Sequence, residues 1–282
     1  MKKFMLIGHE KLVEDFKGLA ERNELSHGYI LFGPARVGKK LFALCFANFL
    51  ETGDFEESNM LRDSLLLEPN EEGIIGIDEI RRIRNFLWQK PVVSKKRTVV
   101  INDVEAMTVE AQNALLKIAE EPPESSLLIL IARDSEKLLP TLQSRLQKIY
   151  FSSVPSAVIE GWLKKKFGKG QEAEAIAKLS LGQPGLAWKM LFDGRFQELQ
   201  KSGEAFLKAG FWARREMIKT LLEPDDFNLN EFLEILLMII SNKEIPAKIN
   251  PKLWHKILDL RRNTDYLNLN PRLQLENLLN EV

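Results

Sequence analysis

Residues 26–40, SHGYILFGPARVGKK, decide the fold of this chain. An apolar run, 29–32, leads into the glycine-containing turn 33–38 and its two lysines, and the apolar segment LFALCFANFL follows at once. A strand, such a turn and a helix form a phosphate-binding loop, because backbone N–H groups at the helix N-terminus and a lysine hold phosphate oxygens. The stretch therefore predicts a P-loop fold with Gly33, Gly38 and Lys39 as phosphate-binding residues.

The loop lacks two groups that a working magnesium site needs. Lys40 stands where a Ser or Thr hydroxyl ligates the metal, and an ammonium group has no lone pair to donate. After the apolar run 98–101, Asn102-Asp103 replaces a pair of acidic residues, so one of the two charges is missing. We therefore predict a degenerate site that does not hydrolyse ATP, while binding of nucleotide without hydrolysis stays possible.

The apolar pattern predicts an α/β domain followed by helices. Five short apolar runs alternate with segments of helical period, which favours a parallel sheet covered by helices. After Pro155 only helical periods remain. We expect an α/β P-loop core over 1–153, a small helical domain over 154–192 and an all-helical domain over 193–282. The predicted strands cover residues 29–32, 65–67, 98–101, 127–132 and 149–151.

Composition limits the possible functions. The 282 residues contain 40 Lys and Arg and 40 Asp and Glu, so any contact with DNA has to be local. The only cysteine, Cys45, excludes an internal disulfide and a cysteine-rich zinc site. No apolar run approaches the ~18 residues of a membrane-spanning helix, and we expect a soluble cytoplasmic protein without a membrane partner.

One predicted helix carries a basic face. Ile80, Ile83 and Leu87 recur at helical spacing, while the arginines between them lie largely off that face. A solvated face is the alternative to a role in contacting template phosphates. The DNA-contact candidates are Arg81, Arg82 and Arg84, with Lys95, Lys96 and Arg97 as additional basic residues.

Several further segments resemble one family. Residues 26–40, 63–84, 107–126 (MTVEAQNALLKIAEEPPESS) and 137–151 (KLLPTLQSRLQKIYF) occur in the order seen in clamp-loader AAA+ subunits. Residues 181–188 and 268–279 look like the lid and collar of the delta-prime type of bacterial DNA polymerase III. The chain thus resembles the clamp-loader family, which implies an AAA+ core, a three-helix lid and a collar that joins five subunits in a ring.

The resemblance implies a subunit that does not hydrolyse ATP. It implies that Arg145 projects into the ATP site of a neighbouring subunit as an arginine finger. Gly185 stands where hydrolysing relatives have a nucleotide-sensing arginine, and Ala132-Arg133 stands where they have a hydroxyl. Many members carry a four-cysteine zinc module after the P-loop helix, but residues 50–61 contain no cysteine, so we predict no zinc.

The implied partners are the gamma/tau and delta subunits, the beta sliding clamp through the complex, and primed-template DNA. Three alternatives remain. An ATP-hydrolysing gamma/tau-type subunit is disfavoured by Lys40 and Asn102, and a P-loop kinase acting on a small metabolite would need an intact magnesium site. A free-standing DNA-binding protein is disfavoured by the balanced charge and by the lack of a helix-turn-helix or RNP motif.

Overall fold

The computed structural model describes residues 6–56, 61–168, 170–223, 227–241, 251–264 and 270–279. Within these residues, five parallel strands form one sheet in the order β2-β3-β4-β1-β5. All five predicted strands are confirmed, although the last begins two residues earlier than predicted and ends before Phe151. The strands are β1 (Gly28–Phe32), β2 (Ser64–Leu67), β3 (Arg97–Ile101), β4 (Ser126–Ala132) and β5 (Gln147–Tyr150).

The helices that accompany the sheet follow the predicted signals. Thr108 caps α4, because its side-chain oxygen accepts a hydrogen bond from the Ala111 backbone N–H, and the helix ends just before Pro122 and Pro123. In α3, Ile80, Ile83 and Leu87 are buried as their spacing predicts. The helices are α1 (Glu10–Glu21), α2 (Lys39–Thr52), α3 (Ile77–Leu87), α4 (Val109–Glu120), α5 (Pro140–Gln143) and α6 (Ser156–Phe167).

Alternate residues of the strands supply two separate cores on the two faces of the sheet. In β1, Ile30 points to one face and packs with residues of α3 and α4 such as Ile83 and Leu115. Its neighbours Tyr29 and Leu31 belong to the opposite core, which contains the rings of α1 and α2. This arrangement fixes α2, and with it the turn that precedes α2, at the carboxyl end of β1.

The remaining helices form a second compact unit, except for Pro184 and Gly185, which belong to the sheet-containing unit. The core of the second unit is built largely from α11, where seven of the nine residues in FLEILLMII are buried. The helices are α7 (Gln171–Leu179), α8 (Pro184–Phe192), α9 (Gly194–Lys208), α10 (Phe211–Leu221), α11 (Leu229–Ser241), α12 (Pro251–Thr264) and α13 (Pro271–Leu278).

The chain divides into two compact units. One comprises Met1–Gly170 with Leu181–Gly185, and the other comprises Gln171–Ser180 with Leu186–Val282. The proposed three-domain division at residues 153 and 192 therefore stays a prediction. Within the described ranges, none of the helices combines the length and apolar character needed to cross a membrane.

Candidate functional site

The predicted P-loop lies between β1 and α2, and two of its glycines are sterically required. Gly33 has φ +134°, and a Cβ at this position would lie 2.2 Å from the backbone oxygen of Phe151. Gly38 has φ +110°, and its Cβ would lie 2.6 Å from Leu6 Cδ1. Both values of φ are ones that residues with side chains rarely adopt. The turn therefore has the backbone shape of a phosphate loop, and α2 begins directly after it at Lys39.

Lys39 is folded back onto the loop. Its Nζ donates hydrogen bonds of 2.5 Å to the backbone oxygens of Gly33 and Pro34, and the residue is only 6% exposed. Burial lowers the pKa of the Lys39 ammonium to about 8, and Arg133 acts in the same direction, whereas Glu105 and Asp103 raise it. The lysine expected to bind phosphate is thus satisfied by the chain's own carbonyl groups.

The residues around Lys40 do not fit a magnesium ion. Lys40 Nζ lies 2.8 Å from Glu68 Oε1, so an ammonium group already neutralises this carboxylate. Asn102 Nδ2 lies 3.4 Å from the same oxygen and donates to Asp103 Oδ2 at 2.9 Å. A divalent cation placed here would face the ammonium of Lys40 and the N–H groups of an amide, both of which repel it.

Glu68 was missed by the sequence reading. It directly follows β2, which is the neighbour of β3, and so it lies at the same edge of the sheet as Asn102. Its position directly after an apolar run was the sequence feature that could have identified it, since the carboxyl ends of adjacent parallel strands lie side by side. The sequence alone does not show that β2 and β3 are neighbours, so it does not place Glu68 beside Asn102 and Asp103.

The segment after β4 and the start of α8 complete the surroundings of the loop. Glu105 Oε1 accepts hydrogen bonds from the backbone N–H groups of Arg133 and Asp134, which ties the end of β3 to the end of β4. The Gly185 N–H donates to the Arg36 backbone oxygen at 2.9 Å, and a Cβ at Gly185 would lie 3.0 Å from that oxygen. The backbone at Gly185 thus packs directly against the loop. By the resemblance, hydrolysing relatives have a nucleotide-sensing arginine at this position.

Arg145 lies at the opposite edge of the sheet from the P-loop. It lies two residues before the start of β5, whereas Gly33 directly follows β1, and the two strands pair in parallel with Tyr29 beside Gln147. At about 3.3 Å per residue, the two positions are roughly 20 Å apart along the strands. An arginine side chain spans less than half of that distance, so Arg145 cannot reach a phosphate bound at its own loop.

The three predicted DNA-contact arginines are exposed, whereas one of the additional basic residues is buried. Arg81, Arg82 and Arg84 are exposed on α3, and Arg81 pairs with Asp78 at 2.7 Å. Including Arg97 in this basic surface was wrong. Its side chain is 7% exposed and lies 3.5 Å from the buried carboxylate of Asp63, because Arg97 begins β3 beside the residue that precedes β2.

The parallel sheet with this strand order, the P-loop and the following helices define an AAA+ core with an additional helical part. In structure, the chain is similar to a gamma subunit-related protein of DNA polymerase III from Thermotoga maritima, with a TM-score of 0.61, 26% identity and coverage of 94% and 97% of the two chains. RuvB of the same organism, at 17% identity and a TM-score of 0.53, covering 91% of this chain and 78% of RuvB, shares the fold.

The family described as "DNA polymerase III, delta subunit" matches residues 8–155, which is more than half of the chain, and the chain belongs to this family. It is 32% identical over 176 residues to DNA polymerase III subunit delta' of Pseudomonas aeruginosa, covering 57% of this chain and 53% of that protein. It is 26% identical over 267 residues to DNA polymerase III subunit tau of Bacillus subtilis, covering 86% of this chain and 47% of that protein. The chain thus spans about half the length of these two relatives.

Proposed function

We propose that this chain is a clamp-loader subunit of the delta-prime type in DNA polymerase III, one that does not hydrolyse ATP itself. Its membership of the family and its similarity to a delta' subunit support the assignment. The observation that carries the loss of hydrolysis is the Lys40–Glu68 ion pair, since it places an ammonium where a hydrolysing P-loop protein holds magnesium.

In this proposal the subunit acts within a complex. Its partners are the gamma/tau and delta subunits, and through the complex it helps to place the beta sliding clamp on primed-template DNA. Arg145 acts in trans, in the ATP site of a neighbouring subunit. Its distance from its own P-loop supports this role, because Arg145 can reach a nucleotide only if a second molecule holds that nucleotide.

Arg145 has the chemistry that the trans role needs. During phosphoryl transfer, negative charge spreads over the γ-phosphate oxygens, and a guanidinium can meet it with two directed hydrogen bonds. Removing an arginine finger lowers the rate at the affected site by about 10³–10⁵-fold where this has been measured. Lysine cannot reproduce the planar fork.

The test is the steady-state ATPase rate of the reconstituted complex with clamp and primed DNA. We expect Arg145→Ala to leave the subunit folded and assembled while ATP turnover and clamp loading fall sharply through loss of one ATP site. Arg145→Lys should restore little. Wild-type rates from the alanine variant in an assembled complex would show that Arg145 is not a trans-acting finger.

A further inference from the structure

Arg145 is held against its own subunit by a carboxylate that the assigned roles do not use. Its Nη2 lies 2.8 Å from Oε1 of Glu120, the last residue of α4. On the other side of the guanidinium, Nη1 donates to the Thr141 backbone oxygen at 2.7 Å and lies 3.4 Å from Ser144 Oγ. The side chains of Arg145 and Glu120 remain 36% and 42% exposed, so a neighbouring molecule can approach them.

The backbones that carry these two side chains are firmly anchored. Leu142 and Leu146, on either side of Arg145, are buried, and the Arg145 N–H donates to the Leu142 oxygen. Ile118 and Ala119, just before Glu120, are also buried. The position of the guanidinium therefore depends only on rotation of the Arg145 side chain, and the contact with Glu120 restricts that rotation.

The contact leaves the guanidinium able to bind a second anion. A guanidinium carries five N–H groups, and the two hydrogen bonds described above use only those of Nη1. Nε–H and the N–H groups of Nη2 remain, with Nη2 in an ion pair with the Glu120 carboxylate. These groups can contact phosphate oxygens while the ion pair with Glu120 persists.

We propose that Glu120 is a positioning residue, which holds the Arg145 guanidinium in the orientation that meets the neighbouring subunit's nucleotide. This inference rests on the proposed trans role of Arg145. A long exposed side chain otherwise samples many rotamers, and catalysis is sensitive to displacements of a charged group by about 1 Å. Because the arginine acts on charge that develops in the transition state, losing its orientation lowers kcat and leaves KM for ATP unchanged.

The experiment is a double-mutant cycle in the reconstituted complex with clamp and primed DNA. We expect Glu120→Ala to lower kcat by about 3- to 10-fold without changing KM. Glu120→Gln keeps the size of the side chain but removes the charge of the ion pair, so it should restore only part of the activity. The matched control is Glu121→Ala, which removes the adjacent exposed carboxylate and should leave the rate unchanged. Circular dichroism and size-exclusion chromatography confirm folding and assembly of each variant.

The Arg145→Ala background separates a positioning role from a structural one. If Glu120 acts through Arg145, Glu120→Ala causes no further loss when Arg145 is already absent. An equal loss in both backgrounds would overturn the proposal, as would a wild-type or increased rate from Glu120→Ala alone. Wild-type activity from Arg145→Ala would instead contradict the proposed trans role of Arg145. This result differs from a failure of the Glu120 proposal because it is obtained without changing Glu120.

Discussion

Lys39 and Lys40 are adjacent in sequence but lie in opposite environments. Lys39 is buried and bonds only carbonyl oxygens in the contacts described above, whereas Lys40 has a side chain that is 42% exposed and pairs with Glu68. Neutral carbonyl groups stabilise a buried ammonium less than a carboxylate does, so its desolvation is incompletely offset. The two lysines should therefore respond differently to pH and to substitution.

The lowered pKa of Lys39 predicts how stability changes with pH. Below about pH 8 the ammonium is charged in both the folded and the unfolded chain, and the cost of burying it is fully present. Between about 8 and the ordinary value of 10.5, the folded chain loses the proton first, so folding becomes more favourable as pH rises. Lys39→Met cannot titrate and removes this dependence.

Urea unfolding of wild type and Lys39→Met at pH 7 and pH 10 measures the effect. We expect wild type to gain about 1–2 kcal/mol of unfolding free energy relative to the variant across this interval, below the upper limit of ~1.4 kcal/mol per pH unit because water still reaches the loop. Other titrating groups cancel in the difference. A difference between the two proteins that does not change with pH would show that the Lys39 ammonium is not desolvated.

The substitution at Lys40 tests the loss of the metal site. We expect the purified chain to release no phosphate from ATP with magnesium, and Lys40→Thr alone to remain inactive. The threonine supplies a hydroxyl, but Asn102 still presents N–H groups toward Glu68 and Asp103. Magnesium-dependent phosphate release by the wild-type chain would contradict this and favour the hydrolysing gamma/tau-type alternative, whereas release by Lys40→Thr alone would show that Asn102 does not block the site.

The strands and the buried helix face could be predicted from the sequence because both depend on the local pattern of apolar residues. Apolar runs identified the five strands, and helical spacing identified the buried face of α3. What they could not show is which side chains meet across the sheet. Glu68 and Asn102 are 34 residues apart, as are Asp63 and Arg97, and each pair meets only because β2 and β3 are neighbours. The basic run before β3 therefore looked exposed although its last member is buried.

The basic face of α3 gives a prediction for DNA binding. Arg82 and Arg84 are exposed on a helix whose other face is fixed in the core, so substituting them should not unfold the protein. If each contacts a template phosphate, charge reversal should lower the affinity of the complex for primed DNA at every sequence. Each lost contact should reduce the slope of log affinity against log salt by about one unit.

Lys11→Glu is the matched control for these variants, since it reverses an exposed charge on α1, which packs against the opposite face of the sheet from α3. Titration of labelled primed DNA at several salt concentrations provides both the affinity and the slope. Affinity and slope that match wild type in the Arg82→Glu and Arg84→Glu complexes would assign these arginines to a solvated face.

For the whole molecule, the question is which surface of the C-terminal helices joins other subunits. The long apolar stretch in α11 is interior to this chain, because Phe232, Leu233 and Leu236 are fully buried. Cutting the chain before Gly194 would also expose Leu186 and Met190, which belong to the same core. Such a fragment would expose part of an apolar core and misfold whether or not the helices bind partners. Its failure to assemble would therefore not identify the assembly surface.

Trp212 offers a sharper test of assembly through the C-terminal helices. It is 72% exposed at the start of α10, beside Phe211, which is 43% exposed. Large exposed aromatic side chains are enriched among the residues that dominate protein interfaces, where truncation commonly costs more than about 2 kcal/mol. Because Trp212 contributes little to its own core, we expect Trp212→Ala to keep the thermal midpoint of the isolated chain and to weaken its incorporation into the complex. Trp88→Ala, which removes a 52% exposed tryptophan from the sheet-containing unit, is the control and should assemble normally. Size-exclusion chromatography with the gamma/tau and delta subunits measures incorporation, and a Trp212→Ala chain that elutes with them as wild type does would place the assembly surface elsewhere.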